Sequence, residues 1–324
     1  MCTAISYLVD DHYFGRNLDL EYSYNESVTI MPRNFIFKPY MMDILNNHYS
    51  VIGIANVVDS YPLYYDATNE FGLSAAALNF PENAKYNPEI SDKFNITPYE
   101  FIPYILSVFK SVKEVKSFLK HSNFLNVNFS KELPLTPLHW LISDKTESIT
   151  VEQTDKGLIV YDNPIGVLTN NPEFDIQLFN LNDYAGLSSK NPENTFSNKI
   201  SLKQYSRGMG GLGLPGDLSS QSRFIKAAFT KLNSICDASE ESAVTQFFHI
   251  LYSVYHQRGT VKTDDNKYQI THYTTCCNTD KGLFYYTTYE NSQICCVDLN
   301  KENLDATLLI SYPLIRKQQI FMQN

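Results

Sequence analysis

Residues 1–7 have the sequence Met-Cys-Thr-Ala-Ile-Ser-Tyr, and residues 13–19 have the sequence Tyr-Phe-Gly-Arg-Asn-Leu-Asp. Both runs are rich in apolar, aromatic and β-branched residues. The acidic pair Asp10-Asp11 between them is typical of a turn that joins two strands. The second run carries a cation, Arg16, and an acid, Asp19, three residues apart. We therefore predict an antiparallel pair of strands that brings both charges close to the N terminus.

Cys2 is a candidate nucleophile because of its position. Removal of Met1 by a methionine aminopeptidase, which accepts a small second residue, would give Cys2 a free α-amino group beside its thiol. That amino group has an ordinary pKa of about 7.7–8.0 and can accept a proton at neutral pH, while the thiol is a strong nucleophile. Arg16 would favour the thiolate, and Asp19 would hold the ammonium or orient the neutral amine. An ordinary second-position cysteine and a surface ion pair are the alternatives at this point.

The rest of the chain alternates blocks of strands with pairs of helices. Thr97-Pro98-Tyr99-Glu100 and Ser111-Val112-Lys113-Glu114 match the capping box that starts a helix. Because the helix pairs do not alternate with single strands, antiparallel sheets with helices layered outside are favoured over a parallel sheet. The predicted fold class is α+β, in one domain spanning residues 1–324. The predicted strands are 3–9, 12–20, 27–31, 51–57, 72–79, a meander over 138–162, then 268–276, 283–289 and 294–299; the predicted helices run from the Thr97 cap to Phe109, from Ser111 to about Lys120, and over about 219–235 and 240–257.

Composition excludes several classes of function. The 324 residues carry a net charge of −9 and no basic stripe, which argues against a nucleic-acid partner. No apolar run approaches the roughly 18 residues needed to cross a bilayer, and the N terminus lacks the basic region of a signal peptide. We therefore expect a cytoplasmic protein with no membrane association. In a reducing compartment, the pairs Cys276/Cys277 and Cys295/Cys296 are predicted to be small buried hydrophobic residues.

Two further patterns are weak. Residues 208–213 match the dinucleotide-binding pattern G-x-G-x-x-G, but Pro215 follows at once and would break a helix that began at the third glycine. A loop is the better interpretation. His139, His249 and His256 have no serine elbow to pair with, and we interpret them as structural residues. No cysteine or histidine cluster has metal-ligand spacing, so neither a metal nor a cofactor is expected.

Nine short motifs stand in a fixed order along the chain. They are Met-Cys-Thr at 1–3, Phe-Gly-Arg-Asn-Leu-Asp at 14–19, Pro-Arg-Asn at 32–34, Tyr-Pro-Leu-Tyr-Tyr-Asp at 61–66, Asn-Glu-Phe-Gly-Leu at 69–73, Leu-Asn-Phe at 78–80, Gly-Val-Leu-Thr-Asn-Asn-Pro at 166–172, Gly-Leu-Pro-Gly-Asp at 213–217 and Ser-Arg-Phe at 222–224. Together they resemble the choloylglycine hydrolases, the bile salt hydrolases and penicillin V acylases of the N-terminal-nucleophile superfamily. The resemblance runs from Met1 to about Tyr312. It implies an αββα sandwich of two antiparallel sheets with helices on the outer faces.

The same resemblance implies a set of catalytic residues. Cys2 matches the nucleophile, Arg16 the arginine near the thiol and Asp19 the aspartate that contacts the α-amino group. Asn79, through its backbone N–H, and Asn170, through its side-chain amide, match the oxyanion-hole positions, although the neighbouring Asn171 leaves a slip of one residue open. The remaining charged site residue is matched by Arg223.

The resemblance also favours one substrate class. The position of Asn79 is asparagine in bile salt hydrolases and tyrosine in penicillin V acylases, so we expect conjugated bile salts of the glycocholate or taurocholate type. The alternatives are a penicillin V acylase or a related N-acyl amide hydrolase with the same machinery, and a β-rich protein that only binds amphipathic ligands. The family resemblance also implies a homotetramer. Because the conjugates are anionic, Arg16 and Arg223 are expected to offset the negative charge of the protein. The expected pocket walls are Leu18, Leu20, Tyr24, Tyr65, Phe80 and Leu135.

Overall fold

The computed structural model describes all residues from Met1 to Asn324. The chain forms sixteen strands and five α-helices. The strands are β1 Cys2–Leu8, β2 His12–Leu20, β3 Ser27–Met31, β4 Val51–Val58, β5 Tyr61–Asn69, β6 Ser74–Asn79, β7 Phe94–Ile96, β8 Ser122–Phe124, β9 Leu138–Ser143, β10 Ser148–Thr154, β11 Gly157–Asp162, β12 Val167–Leu168, β13 Ile270–Asn278, β14 Leu283–Thr288, β15 Asn291–Asp298 and β16 Ile310–Pro313. The helices are α1 Phe101–Val108, α2 Val112–Leu119, α3 Phe174–Asn180, α4 Ser220–Asn233 and α5 Glu240–Tyr252.

Two antiparallel sheets lie face to face at the centre of the molecule. One has six strands in the order β12-β1-β2-β13-β14-β15, and the other has eight in the order β11-β10-β9-β6-β5-β4-β3-β16. Strands β1 and β2 contact β5, β6 and β9 across the interface. Helices α4 and α5 pack on the outer face of the first sheet, and α1 packs on the outer face of the second. The predicted α+β sandwich with outer helices is therefore confirmed.

Alternation along the strands builds the core. One apolar cluster joins the inner faces of both sheets to the buried sides of α4 and α5, and a second fills the space between the eight-stranded sheet and α1 and α2. Because successive residues of a strand face opposite sides, each central strand contributes to two layers at once. Strand β2 is buried from His12 to Asp19 for this reason.

Strand β5 was not among the predicted strands. Pro62 lies inside it, and proline cannot donate a ladder hydrogen bond. The structure accommodates Pro62 because β5 pairs there with Val57 of β4 only, while β6 pairs with β5 no earlier than Asp66. The proline therefore occupies a stretch of the strand with a free side.

Three other predictions were wrong in detail. Helix α1 begins at Phe101 with Glu100 as its N-cap, because the Glu100 carboxylate accepts from the amide of Thr97 without starting a helix there. Helix α5 ends at Tyr252, earlier than the expected residue 257. Cys295 is half-buried and Cys296 exposed, because β15 is an edge strand, whereas Cys276 and Cys277 of central β13 are buried as predicted.

Other expectations hold. Ser111 caps α2 by accepting from the amide of Glu114, and residues 138–162 form the predicted three-strand meander. Only a short 3-10 turn, 209–211, follows Gly208, so no helix begins at the glycine-rich segment. The longest helix has 14 residues, and none has the combination of length and hydropathy that a bilayer crossing requires.

Candidate active site

Cys2 begins strand β1 and lies directly opposite Leu18 of β2. Its side chain is only 2% exposed. Directly opposed residues of an antiparallel pair share a face, so Cys2 lies on the face of β2 that carries Leu18 and Arg16. This face is turned toward the second sheet, because the Arg16 guanidinium donates to the carbonyl of Tyr65, at 3.1 Å, and to that of Ala77.

Asp19 lies on the opposite face of the same strand. Asn17, two residues earlier, points to the same face as Asp19. Its Nδ2 donates to the carbonyl of Leu251 in α5 at 2.9 Å, so this face is turned toward the helices. The three-residue spacing of Arg16 and Asp19 thus places one charge on each side of the strand. Arg16 is placed to act on the thiol side of Cys2 and Asp19 on the backbone side.

Asn170 connects the groups around Cys2. Its Oδ1 accepts from the backbone N–H of Cys2 at 2.8 Å and from Nη2 of Arg223 at 2.7 Å. Its Nδ2 has two hydrogens, one of which it donates to the carbonyl of Asn79 at 2.7 Å. Asn171 points elsewhere and donates to the carbonyl of Pro81. Asn170, and not its neighbour, therefore contacts the candidate nucleophile.

Arg223 fixes the backbone of the first residues. It lies on α4 and is fully buried. Its Nη1 donates to the carbonyl of Cys2 at 2.5 Å and to Oγ1 of Thr3 at 2.7 Å, and its Nε donates to the carbonyl of Leu218 at 2.9 Å. Burial lowers the pKa of Arg223, and the charges of Asp19 and Cys2 offset part of this effect. The guanidinium is held in place by four protein acceptors.

The charge of Arg16 is set by the groups packed around it. Burial lowers its pKa, but the charges of Cys2, Tyr273 and Asp66 outweigh burial, so the pKa lies above its ordinary value. Burial raises the pKa of Asp66 to about 6, against the lowering effect of Arg16. Nη2 of Arg16 is buried and has no hydrogen-bond acceptor. Arg16 is thus a permanent cation with one N–H group still to satisfy.

Asp19 has an unused carboxylate oxygen. Its Oδ1 accepts from Thr271 Oγ1 at 2.6 Å, whereas Oδ2 is buried without a hydrogen-bond partner. His256 Nε2 lies 3.7 Å from Oδ2, but burial lowers the pKa of His256 to about 4, so this imidazole is neutral at pH 7. The backbone of Asp19 pairs with Met1, whose terminal amine donates to the Asp19 carbonyl at 2.5 Å. The Oδ2 atom of Asp19 can therefore accept one further hydrogen bond.

Sequence reasoning missed a supporting layer behind Asn170. Ser220 Oγ accepts a hydrogen bond from the backbone N–H of Asn170 at 2.8 Å, and Gln177 Nε2 donates to the backbone carbonyl of Asn170 at 2.5 Å. Gln177 lies on α3, a helix that was not predicted, so no signal pointed to it. Asp66, which lies beside Arg16, is the last residue of the matched motif at 61–66, and that motif could have pointed to it.

The three histidines have different environments. His139 is buried, contacts Glu152 at 2.9 Å and the carbonyl of Thr169 at 3.0 Å, and stacks on Phe80 at 4.2 Å between ring centroids. The structural interpretation of His139 is confirmed. His249 is exposed on α5. His256, which lies beyond the end of α5 and beside Asp19, belongs to the site.

The six expected wall residues divide into two groups. Leu18 is 2% exposed and Phe80 is 0% exposed, which makes them about as buried as Cys2, and Phe80 stacks on His139. Leu20, Tyr24, Tyr65 and Leu135 are half-buried. For all six the pocket wall stays a prediction. None of the six lines the cavity of about 600 Å³ that opens beside Met1.

The geometry provides the parts of an acyl-transfer site. The Cys2 thiol lies at the start of β1, between the buried guanidinium of Arg16 on the side of the second sheet and that of Arg223 on the side of α4. The Asn170 amide contacts the same residue and has a spare N–H. A nucleophile with a nearby N–H donor is the combination expected of a site with an oxyanion hole. No Ser–His pair is involved. The chemistry that this set supports is attack of a thiolate on an amide or ester carbonyl.

Comparison with known proteins gives the same answer. Residues 2–312 match the model of the linear amide C–N hydrolases, choloylglycine hydrolase family. The chain is 57% identical, over 100% of both chains, to a bile salt hydrolase/transferase of Lactiplantibacillus plantarum. It is 44% identical, over 96% of both, to a bile salt hydrolase/transferase of Clostridium perfringens.

Solved structures agree with this assignment. A mutant of the conjugated bile acid hydrolase from Clostridium perfringens superposes with a TM-score of 0.93, at 42% identity and 100% coverage of both chains. The penicillin V acylase from Agrobacterium tumefaciens shares the fold, with a TM-score of 0.75 at 20% identity, over 96% of this chain and 91% of that one. The chain therefore belongs to the choloylglycine hydrolase family of linear amide C–N hydrolases.

Proposed function

We propose that this chain, once Met1 has been removed, hydrolyses the amide bond of glycine- or taurine-conjugated bile acids with Cys2 as the nucleophile. The observation that carries the proposal is the 2.8 Å hydrogen bond from the Cys2 backbone nitrogen to Asn170 Oδ1. Loss of Met1 would turn that nitrogen into an α-amino group. The base and the thiol would then belong to the same residue, with the side-chain amide of Asn170 in contact with it.

The first half of the reaction forms a thioester. The α-amino group of Cys2 takes the proton of the thiol, and the thiolate sulfur bonds to the carbonyl carbon of the substrate. Charge develops on the carbonyl oxygen, where the spare N–H of Asn170 and the backbone N–H of Asn79 would donate. The C–N bond then breaks as the ammonium returns its proton to the departing nitrogen, releasing glycine or taurine.

The second half hydrolyses the thioester. Water loses a proton to the same α-amino group and attacks the carbonyl carbon, and the C–S bond breaks to give the free bile acid and the thiol. Asp19 Oδ2, which has no partner while Met1 is attached, supplies an acceptor for the ammonium in each cycle. Its negative charge stabilises the charged form of the amine.

The substrate class rests on the relatives. Proteins 57% and 44% identical over nearly the whole chain are named for bile salts, and Asn79 is the residue expected of that class. The likeness to a penicillin V acylase, at 20% identity, concerns the fold alone. Bile salts are therefore favoured over penicillin V.

Three matched measurements test this proposal. Intact mass of the active protein is expected to show loss of Met1. Glycocholate and taurocholate are expected to be cleaved much faster than penicillin V, and Cys2→Ser and Cys2→Ala to be inactive on all three. Dominant cleavage of penicillin V would replace the substrate class. Full cleavage by Cys2→Ala would rule out Cys2 as the nucleophile, and full cleavage by protein that retains Met1 would rule out its α-amino group as the base. Binding of the bile salts without cleavage by the wild-type protein would favour the amphipathic-ligand-binding alternative.

A transferase activity is a second candidate, because both of these relatives carry it in their names. An amine in place of water would attack the same thioester and give a new bile acid amide. Incubation of cholyl thioester or glycocholate with an excess of a second amino acid, followed by mass spectrometry, tests for the exchanged conjugate.

The homotetramer, the cytoplasmic location and the single domain of residues 1–324 complete the proposal. Light scattering of the purified chain is expected to give four times the 37.1 kDa of one chain. A monomeric mass would contradict the assembly without affecting the chemistry.

A further inference from the structure

We propose that the cavity beside Met1 is the subsite for the amine half of the substrate, and that Lys226 and Lys262 bind the carboxylate or sulfonate at its end. This inference deepens the proposed function and rests on it. The cavity, hereafter the Met1 cleft, has a volume of about 600 Å³, and Met1, Asp217, Lys226, Tyr255 and Lys262 are among its lining residues.

The position of the leaving amine follows from the proton transfer. The α-amino nitrogen of Cys2 must lie within about 2.6–3.2 Å of the departing nitrogen in order to protonate it. Met1 is the residue bonded to that nitrogen, and it also lines the cleft. Its removal therefore opens a space that extends from the α-amino group directly into the Met1 cleft.

The two lysines of the cleft have charge to spare. The lysine ion pairs of this structure involve other residues. Lys226 is half-buried on α4, and the exposed Lys262 has only the ring of Tyr268, 6.0 Å from its Nζ. Both ammonium groups are therefore available to an anion.

The acid of the cleft is already occupied. Asp217 accepts from the amide of Ser219 at 2.9 Å and from Ser222 Oγ at 2.6 Å. These hydrogen bonds lower the pKa of Asp217 to about 2. With two lysines and one aspartate among its lining residues, the cleft has a positive balance of one charge, on a chain whose net charge is −9.

Arg16 and Arg223 do not fill this role, although the sequence suggested that they would. Both guanidinium groups are 0% exposed, and all three nitrogens of Arg223 donate to protein acceptors. A carboxylate or sulfonate that remains in contact with water needs cations at the surface. The Met1 cleft provides them on the side where the leaving amine must lie.

A substrate pair that differs only in this charge tests the proposal. Glycocholate carries a terminal carboxylate, and cholylglycinamide carries a neutral amide of nearly the same shape. The variants are Lys226→Met, Lys262→Met and the double variant, with Lys199→Met, an exposed lysine outside the cleft, as the matched control. Taurocholate is included to compare a sulfonate with the carboxylate.

The double variant is expected to raise KM for glycocholate and taurocholate about tenfold, as two solvent-exposed charge pairs allow. Its KM for cholylglycinamide, its kcat on all three substrates and all constants of Lys199→Met are expected to stay within about twofold of wild type. An equal rise of KM on charged and neutral substrates, or no rise, would overturn the subsite. A wild-type protein that cleaves none of the three would instead overturn the proposed function.

Discussion

Replacement of Asn170 by alanine is expected to lower both kcat and the free energy of unfolding. The substitution deletes the N–H that would stabilise the oxyanion, and loss of one such donor costs about 2.7–4 kcal/mol in the transition state. At about 1.36 kcal/mol per factor of ten, kcat should fall about 100- to 1,000-fold. It also deprives the Cys2 nitrogen and Arg223 Nη2 of their acceptor, so the free energy of unfolding should fall by about 1–3 kcal/mol.

Two variants separate these effects. Asn170→Asp keeps an acceptor for Arg223 but has no N–H to donate, so it should lose at least as much kcat while keeping more of the stability. Asn171→Ala removes only the hydrogen bond to the Pro81 carbonyl and should keep kcat within about threefold. Steady-state kinetics on glycocholate and urea unfolding, on mature protein checked by mass, give both quantities.

The result that would refute this reasoning is specific. If Asn170→Ala retained more than a tenth of wild-type kcat, the amide would not be an oxyanion donor. If Asn171→Ala lost as much activity as Asn170→Ala, the two neighbours would share the role, and the contact with Cys2 would not identify the catalytic one.

Three further predictions concern stability. Burial lowers the pKa of His12 to about 4, so the unfolded chain binds more protons than the folded one between pH 6.5 and 4. The unfolding free energy of the wild type should therefore fall by about 3 kcal/mol as the pH is lowered across that window. His12→Asn should show a smaller fall in urea unfolding at a series of pH values, and parallel curves for the two proteins would contradict this. Burial raises the pKa of Asp66 to about 6. The stability that the protonated carboxyl contributes is therefore present below pH 3.8 and lost as the pH rises through about 6. In the same assay, the unfolding free energy of Asp66→Asn should rise relative to that of the wild type from pH 4 to 7, and a difference between the two that does not change with pH would argue against this. A Cβ at Gly15 would lie 2.1 Å from the carbonyl oxygen of Thr275, a backbone atom that cannot rotate away. Gly15→Ala should therefore lower the unfolding free energy by about 3 kcal/mol or prevent folding. An unchanged urea midpoint would show that β2 and β13 can move apart at no cost in stability.

The layered architecture was predictable because order and amphipathic pattern fix it locally. Strands and helix pairs that do not alternate leave few ways to bury both sheet faces. The errors occurred where tertiary context decides. Pro62 is tolerated because β5 has a free side at that point, and the exposure of Cys296 depends on which strand ends at the edge of the sheet. Neither fact can be derived from the residues around it.

The candidate site shows the same division. The motifs gave Cys2, Arg16 and Asn170 as candidates, but the choice between Asn170 and Asn171 needed the contact with the Cys2 nitrogen. Parity along β2 could have placed Arg16 and Asp19 on opposite faces. The support from Gln177 and Ser220 could not be found in this way, because it depends on α3 and α4 packing against a loop more than 160 residues from Cys2.

The order of strands in the six-stranded sheet has a consequence for synthesis on the ribosome. Strand β2 lies between β1 and β13, and Thr271 of β13 completes the environment of Asp19, so a nascent chain cannot assemble this centre until about five-sixths of its length has been made. If the mature chain begins at Cys2, as proposed above, we expect Met1 to be removed before this centre assembles, because the Met1–Cys2 peptide nitrogen is hydrogen-bonded to Asn170 once the chain has folded. A chain that folded with Met1 still attached would keep an amide in place of the α-amino group, and we expect it to be inactive.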